Sequence, residues 1–568
     1  MLHGVTQYSD EQKGNTTSRS TKWVVTIVTI VILSFLCFII FPRTRKIQVT
    51  NKTVAILPFV NSNHTPEDDY FINAITEDVL NQLSKIGKVE VISFATMMQY
   101  KDTKMSVSQI ADELNAGALL RGSIVKSGVH LHVDAQLINP RDEKILWTKT
   151  YACSMDGVLE LESEIPLNIA DALGVNVTAG ERESIEKKTT SSSTAYDSYV
   201  KGREYYYSYT KNDNENAIRM FKNALEQDPR YSLAYAGLGD SYCQRFSEHG
   251  FSMEWLDSSI AMSKKAITFD SSLAEGYKAL GAAYYARGWY KKALDENAKA
   301  VGLNPGYSDA VNNFGVLLVM MGDFEEGVKW VKKATLLDPT QARSYVTCGE
   351  VFMDLTLDSI ARQYFDRAFS LEKKNLLAHT DLVWLNLSEG NSNQALIESR
   401  KALSIDPDDP SALEVAGLSH FFLNNLDSAM YYFDKFPVIP SHSEGAVIRF
   451  SIMLNHGERE QAMQFCGLAR SRWLDEIQEG NELSIIRYDL AAMCAVMNEN
   501  EDAYKWLQEA INLGWLDYRW PQVDPLFVNL RKQPRFKEMM QRISTVLNTQ
   551  KENVMKEKID QEDEKDKE

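Results

Sequence analysis

Apolar residues follow three different rhythms along this chain, and each predicts a different kind of structure. Trp23 to Phe41 (WVVTIVTIVILSFLCFIIF) carries no charge. At helical rise that run spans about 28 Å, close to the ~30 Å of a bilayer core, so a transmembrane helix is expected over 23–41. From Thr53 the pattern shortens. Thr53–Phe59 (TVAILPF) is an apolar run stopped by Pro58, which predicts a buried strand. Tyr70–Ile86 sets Phe71, Ala74, Ile75, Val79 and Leu83 near helical spacing. Val89–Phe94 reads as a second strand, and Val107–Leu114 as a second helix with Ser106 as its cap. Ala118–Lys126 and Val129–Ile138, joined at Ser127-Gly128, predict a hairpin that Lys144–Tyr151 extends. The order β-α-β-α-β-β-β predicts a mixed sheet with helices against it.

The third rhythm is a repeat. Ala266, Ala300, Ala334, Ala368 and Ala402 follow one another at steps of 34, and Ala224 precedes them by 42. Pro305, Pro339 and Pro407 keep the same step or twice it. A fixed period of this size predicts helical hairpins stacked into a solenoid, because one hairpin cannot bury its apolar face alone. Six hairpins are clear between about Tyr196 and Pro440, and two weaker ones follow around Ala462 and around Ala491–Ala503–Ala510. The eight-residue excess falls in the loop near Arg245–Met253. Ala179–Thr194 reads as a linker, Asp524 to Phe536 as a closing cap, and Lys551–Glu568 as a charged tail that stays disordered.

Two known families are resembled. Tyr235-x-x-Leu238-Gly239-x-x-Tyr242 and Tyr277-x-x-Leu280-Gly281-x-x-Tyr284, with Ala217/Phe221, Ala361/Phe365 and Ala429/Phe433, resemble the tetratricopeptide repeat. The glycine continues at Gly315, Gly349 and Gly417, with Val383 as the exception. In that family the first helix of each hairpin lines a concave groove that binds polypeptides. The resemblance therefore implies a groove lined by Asp240, Gln244, Lys278, Tyr285, Asn312, Val319, Arg343, Glu350, Asp354, Thr380 and Trp384. That set mixes acids with apolar groups and lacks the Lys/Asn clamp that grips chaperone C-termini.

Before the repeats, AILPF at Ala55–Phe59, DDYF at Asp68–Phe71, ITED at Ile75–Asp78 and IADEL at Ile110–Leu114 appear in order. RGSIVKSG at Arg121–Gly128, DAQLIN at Asp134–Asn139 and ILW at Ile145–Trp147 complete the series. Together they resemble the TolB amino-terminal-like domain that precedes tetratricopeptide repeats in many bacterial proteins, over residues 53 to about 175. In those relatives a cyclase, winged-helix or kinase domain often comes before a membrane helix. Only 22 residues precede the apolar run here, so no such activity is expected. The basic residues flanking that run are nearly balanced, and the resemblance is what implies a periplasmic side for everything after it.

Chemistry changes this picture little. A net charge of −17 argues against nucleic acid as a partner, since neutralising phosphates needs a concentrated basic footprint. The six cysteines include no C-x-x-C and are expected as free thiols. His130, His132 and Asp134 share one face of a strand and are of types that suit zinc or copper. Their alternation with Leu131, Val133 and Ala135 instead predicts a solvated face. The acidic pairs Asp68-Asp69 and Glu77-Asp78 read as solvated too. Phosphate-loop, H-E-x-x-H and G-x-S-x-G signatures are absent, so neither an enzyme, a cofactor nor a metal is expected.

The expected class is α plus α/β: a polar tail (1–22), a transmembrane helix (23–41) and a small mixed α/β domain (47–178). A linker (179–194), a tetratricopeptide array of about eight units with the last two degenerate (195–548), and a disordered tail (549–568) follow. The expected role is a single-pass, inner-membrane, periplasmic scaffold that binds other proteins or peptides in the repeat groove. The alternative is a ligand- or envelope-sensing component of a signalling system whose effector is a separate polypeptide.

Overall fold

The computed structural model describes residues 51–435 and 444–565. It opens with a sheet of β1 (Thr53–Ile56), β2 (Val60–Asn61), β3 (Glu90–Val91), β4 (Ala118–Ser127), β5 (His130–Ile138) and β6 (Ile145–Ser154). The strand order is β3-β1-β4-β5-β6, and β2 pairs with β4. β1 lies parallel to β3 and β4, whereas β4, β5 and β6 run antiparallel. All four β1 residues are buried because helices cover both faces of the parallel half. On one face α1 (Asp69–Leu83) and α4 (Val158–Ala172) bring Phe71, Ile75, Val79, Ile165 and Ile169 against Val54 and Ile56. On the other, α2 (Phe94–Met98) and α3 (Val107–Glu113) bring Met97 and Ile110 against Ala55 and Leu119. Ser106 caps α3 in a capping box with Gln109, as its position predicts. On β5 the predicted alternation holds: His130, His132 and Asp134 are exposed, and Leu131, Val133 and Ala135 are buried.

After α5 (Ala179–Glu186) come nine helix pairs among the described residues. They are α6 (Ser193–Tyr207) with α7 (Lys211–Gln227), α8 (Ser232–Ser247) with α9 (Glu254–Phe269), and α10 (Ala274–Ala286) with α11 (Tyr290–Leu303). Next are α12 (Ser308–Met320) with α13 (Phe324–Leu337), α14 (Ala342–Asp354) with α15 (Asp358–Leu371), and α16 (Leu376–Ser388) with α17 (Ser392–Ile405). Last are α18 (Pro410–Phe422) with α19 (Leu426–Phe433), α20 (Glu444–Asn455) with α21 (Arg459–Gln478), and α22 (Ser484–Val496) with α23 (Asn500–Asn512). A short α24 (Trp520–Val523) and a long α25 (Pro534–Lys565) close the described chain.

The periodic alanines explain themselves. Each lies at the end of a second helix, at most 1% exposed, and its carbonyl accepts the last helical bond from the residue that stops the helix. The glycines make room for the facing helix. A Cβ on Gly349 would sit 2.4 Å from Phe365, and one on Gly417 would sit 2.5 Å from Phe433. Where Val383 replaces that glycine, the residue in the matching register is the small, fully buried Ser399. Volume is conserved across the contact.

Several expectations need correction. Among the described residues no helix is long and apolar enough to cross a membrane. The transmembrane helix expected at 23–41 lies outside the described residues. The fold class is therefore corrected to a mostly helical repeat solenoid with a small mixed-sheet domain, and the single-pass, periplasmic location is withdrawn. Seven hairpins, not six, precede residue 436, because α19 ends at Phe433 before reaching the periodic alanine position that marks the other six. The eight extra residues are shared between longer helices α8 and α9 and the loop between them. The 179–194 stretch holds α5, whose Ile185 is buried in the core that joins the sheet to the first two hairpins. Beyond 549 the chain continues as helix, with Gln550, Lys551 and Asn553 bonded to earlier turns.

Candidate interaction groove

The eleven residues expected to line the groove all sit on first helices of hairpins, but the structure gives them unequal roles. On α8 and α10, Asp240 and Lys278 form an ion pair at 3.1 Å, with Asp309 3.9 Å from the same ammonium. Gln244 is buried, its amide oxygen taking a 2.8 Å hydrogen bond from Asn214. Val319 is core, and Thr380 is buried with its hydroxyl donating to its own helix at Leu377. These last three are packing and tethering positions. Asn312 is half-buried, and its Oδ1 has no hydrogen-bond partner. Tyr285 and Arg343 are exposed, and Tyr285 meets Tyr290 edge-on at 5.4 Å. Partial burial first, then the charge of Glu350, raises the Tyr285 phenol, and the Arg343 guanidinium opposes that shift. The three side chains thus share one electrostatic environment.

Farther along, Glu350 and Asp354 on α14 meet Asp381 on α16 and Asp517 from beyond α23. Burial pushes the Asp354 carboxyl up to about 8, aided by the charges of Asp517 and Glu350 and opposed by Arg519. Asp381 is raised well above the ordinary carboxylate range by burial and by Glu350, to which it is hydrogen-bonded.

The sequence does not foretell what covers this end of the face. Trp384 packs edge-on against Trp520 with ring centres 4.9 Å apart, and Phe422 meets the same indole at 5.4 Å. Arg519 clamps Asp358 at 2.8 Å and donates to the Met353 carbonyl at 3.0 Å. Glu482 N–H donates to the Gly288 carbonyl, Gln550 bridges Gly322 and Phe324, and Lys551 donates to Thr356. The C-terminal elements therefore fold back over the turns inside earlier hairpins. Those turns place Gly288, Gly322, Thr356, Gly390 and Asn424 in the left-handed region, again at steps of 34. This Gly/Asn series was a legible signal that the alanines overshadowed.

The acidic pairs are structural. Asp68 binds Lys126 at 2.6 Å and Asp69 binds Lys101 at 3.1 Å. Glu77 and Asp78 are buried, contrary to expectation, where Arg203 reaches them at 3.2 and 2.6 Å. Tyr196 donates to Asp78 and Tyr207 to Glu77. This network ties α1 of the sheet domain to α6 of the first hairpin. The five described cysteines are free, and burial raises each of their thiols.

Known proteins match this chain in parts. Residues 50–165, the sheet region, match the family described as HilA/YgeH-like transcriptional regulator, second domain. A putative adenylate cyclase 3 of Rhizobium meliloti (strain 1021) is 29% identical over 246 residues, 43% of this chain and 41% of that protein. DnaJ homolog subfamily C member 7 of Mus musculus is 29% identical over 133 residues, 23% of this chain and 25% of that one. The chain spans less than half the length of the curated relatives it matches. Among solved structures, Pseudomonas aeruginosa pilF is 18% identical with a TM-score of 0.32, covering 39% of this chain and 96% of that one. YrrB, described as a TPR protein with an unusual peptide-binding site, is 22% identical with a TM-score of 0.27, covering 34% and 95%. With its paired helices at a 34-residue step, this chain is a TPR-like helical-repeat protein.

Proposed function

We propose that the chain is a protein–protein interaction scaffold that holds a polypeptide segment against the uncovered part of its first-helix face. The observation that carries this reading is the contrast along that face. Tyr285 and Arg343 remain exposed, whereas Asp354 and Trp384 meet Asp517, Arg519 and Trp520 from the chain's own C-terminal elements. An exposed tyrosine and arginine offer the aromatic and bidentate contacts that dominate polypeptide recognition. The accessible stretch suits a short extended or helical segment with an acidic group for Arg343. The sheet domain, read as TolB amino-terminal-like in a bacterial protein, serves as the fixed base of the array, joined through Arg203. In this reading the chain catalyses nothing.

A peptide-display selection against the full-length chain tests it. Selected peptides are expected to carry acidic residues and to lose at least about tenfold in affinity, ~1.4 kcal/mol, when Tyr285→Ala and Arg343→Glu are combined. Peptides that bind the double variant unchanged would place recognition elsewhere. A second reading, a sensing component of a signalling system with a separate effector polypeptide, is favoured by the regulatory names of the partial matches. Co-purification with a cyclase or a transcription factor would support it.

A further inference from the structure

Away from the groove residues, a cavity of about 550 Å³ opens between α13 and α15, over α14 and against the side chains of Val554 and Met555 from α25. Its chemistry is unusual for a chain of net charge −17. Lys329, Lys332, Lys333 and Arg367 line it, and among the described residues no acidic side chain does. Lys329 is paired with Glu326 at 3.3 Å. Lys332 and Lys333 form no ion pair among the described residues. Arg367 lies over the Tyr345 ring at 5.5 Å, and Lys333 over Trp330 at 5.1 Å. Both cations are thus held in place by rings rather than by carboxylates. Partial burial lowers the Lys333 ammonium, with the charge of Glu90 opposing. An ammonium so placed gains when an anion arrives.

The remaining wall is aromatic and apolar. Tyr364 stacks on Phe352 with ring centres 5.2 Å apart and an interplanar angle of 15°, and Tyr345 stands 6.3 Å from Tyr364. Leu336, 59% exposed, lies at the cavity's edge. The volume is in the range of ordinary small-molecule sites, roughly 300–1,000 Å³, and the composition is that of such sites: apolar walls with a few convergent charges. We propose that this cavity binds a small organic anion. Its planar ring or apolar body would seat against Tyr345, Phe352 and Tyr364, and its phosphate, sulfonate or carboxylate would be held by Lys332, Lys333 and Arg367. The site is independent of the groove: its cations lie on second helices, whereas the groove residues lie on first helices.

The test uses two fluorescent probes on the full-length chain. Anilinonaphthalene sulfonate carries an aromatic body and one negative charge, and phenylnaphthylamine carries the same body without it. The charged probe should bind one-to-one, at least about tenfold more tightly than the neutral one, and weaken as salt is raised. The triple substitution K332Q/K333Q/R367Q should abolish that preference. Glutamine retains helix propensity at all three positions. Leu336→Trp, which narrows the mouth while keeping every charge, should weaken both probes and serves as the second variant. Adenosine monophosphate and indole acetate should each be tried as competitors, and the better one identifies the preferred anion. Equal binding of the two probes, unchanged binding in the triple variant, or failure of both competitors would overturn the proposal.

Discussion

Replacing Asp354 by asparagine should stabilise this protein, and the effect should depend on pH in a defined direction. In the folded chain the Asp354 carboxyl is pushed up to about 8 by burial and by the charges of Asp517 and Glu350. In the unfolded chain it returns to about 3.9. Between those values the folded state holds a proton that the unfolded state has released, so stability falls as pH rises through the window. At ~1.36 kcal/mol per factor of ten, the full gap of about four is worth about 5–6 kcal/mol above pH 8 and about 4 kcal/mol at pH 7. Water entry and local relaxation reduce that ceiling to about 2 kcal/mol. Asp338 and Asp524, raised to about 6 by burial, add in the same direction at lower pH. Asp354→Asn fills the same volume without a charge. Urea unfolding followed by tryptophan fluorescence, with Trp384 and Trp520 close by as reporters, should show nearly equal midpoints at pH 5. At pH 8 the variant should be more stable by about 2 kcal/mol. Parallel pH profiles, or a less stable variant at pH 8, would refute the burial argument.

Other perturbations test other joints of the structure. Arg203→Met leaves Glu77 and Asp78 buried without their cation and should cost about 3–5 kcal/mol in thermal unfolding; hydrogen exchange should show α1 and α6 losing protection together. Gly349→Ala forces a methyl into the Phe365 ring and should destabilise by about 1–3 kcal/mol, despite alanine's better helix propensity. Gly514 lies with φ +98, and a Cβ there would sit 2.3 Å from the Met321 backbone. Gly514→Ala should therefore loosen the C-terminal elements, read out as faster proteolysis after residue 512, and an unchanged digestion pattern would count against the fold-back.

Much of the architecture was legible because it is local. The alternation that exposes His130 and His132, the Ser106 cap, and the alanines that end second helices all follow from residues a few positions apart. The rest depends on partners far along the chain. Glu77-Asp78 looked like a solvated pair because its partner, Arg203, lies in the first repeat. Trp384 looked like a groove residue because nothing periodic announces Trp520. The tail beyond 549 is rich in charge, yet Gln550 and Lys551 find backbone carbonyls left available at the turns of earlier hairpins. Thr356 shows the same limit from the other side. It is a β-branched residue at φ +57 where glycine or asparagine recurs, and it is one that Lys551 contacts.

The central claim is that the uncovered first-helix face receives a polypeptide. The most direct measurement places a photo-crosslinking amino acid at position 285, and in parallel at position 397 on the second helix α17, in the full-length chain in cells. Discrete polypeptide adducts at 285 that are absent at 397, and that disappear with Arg343→Glu, are the predicted result. No adduct at 285, or the same adducts at both positions, would contradict the account.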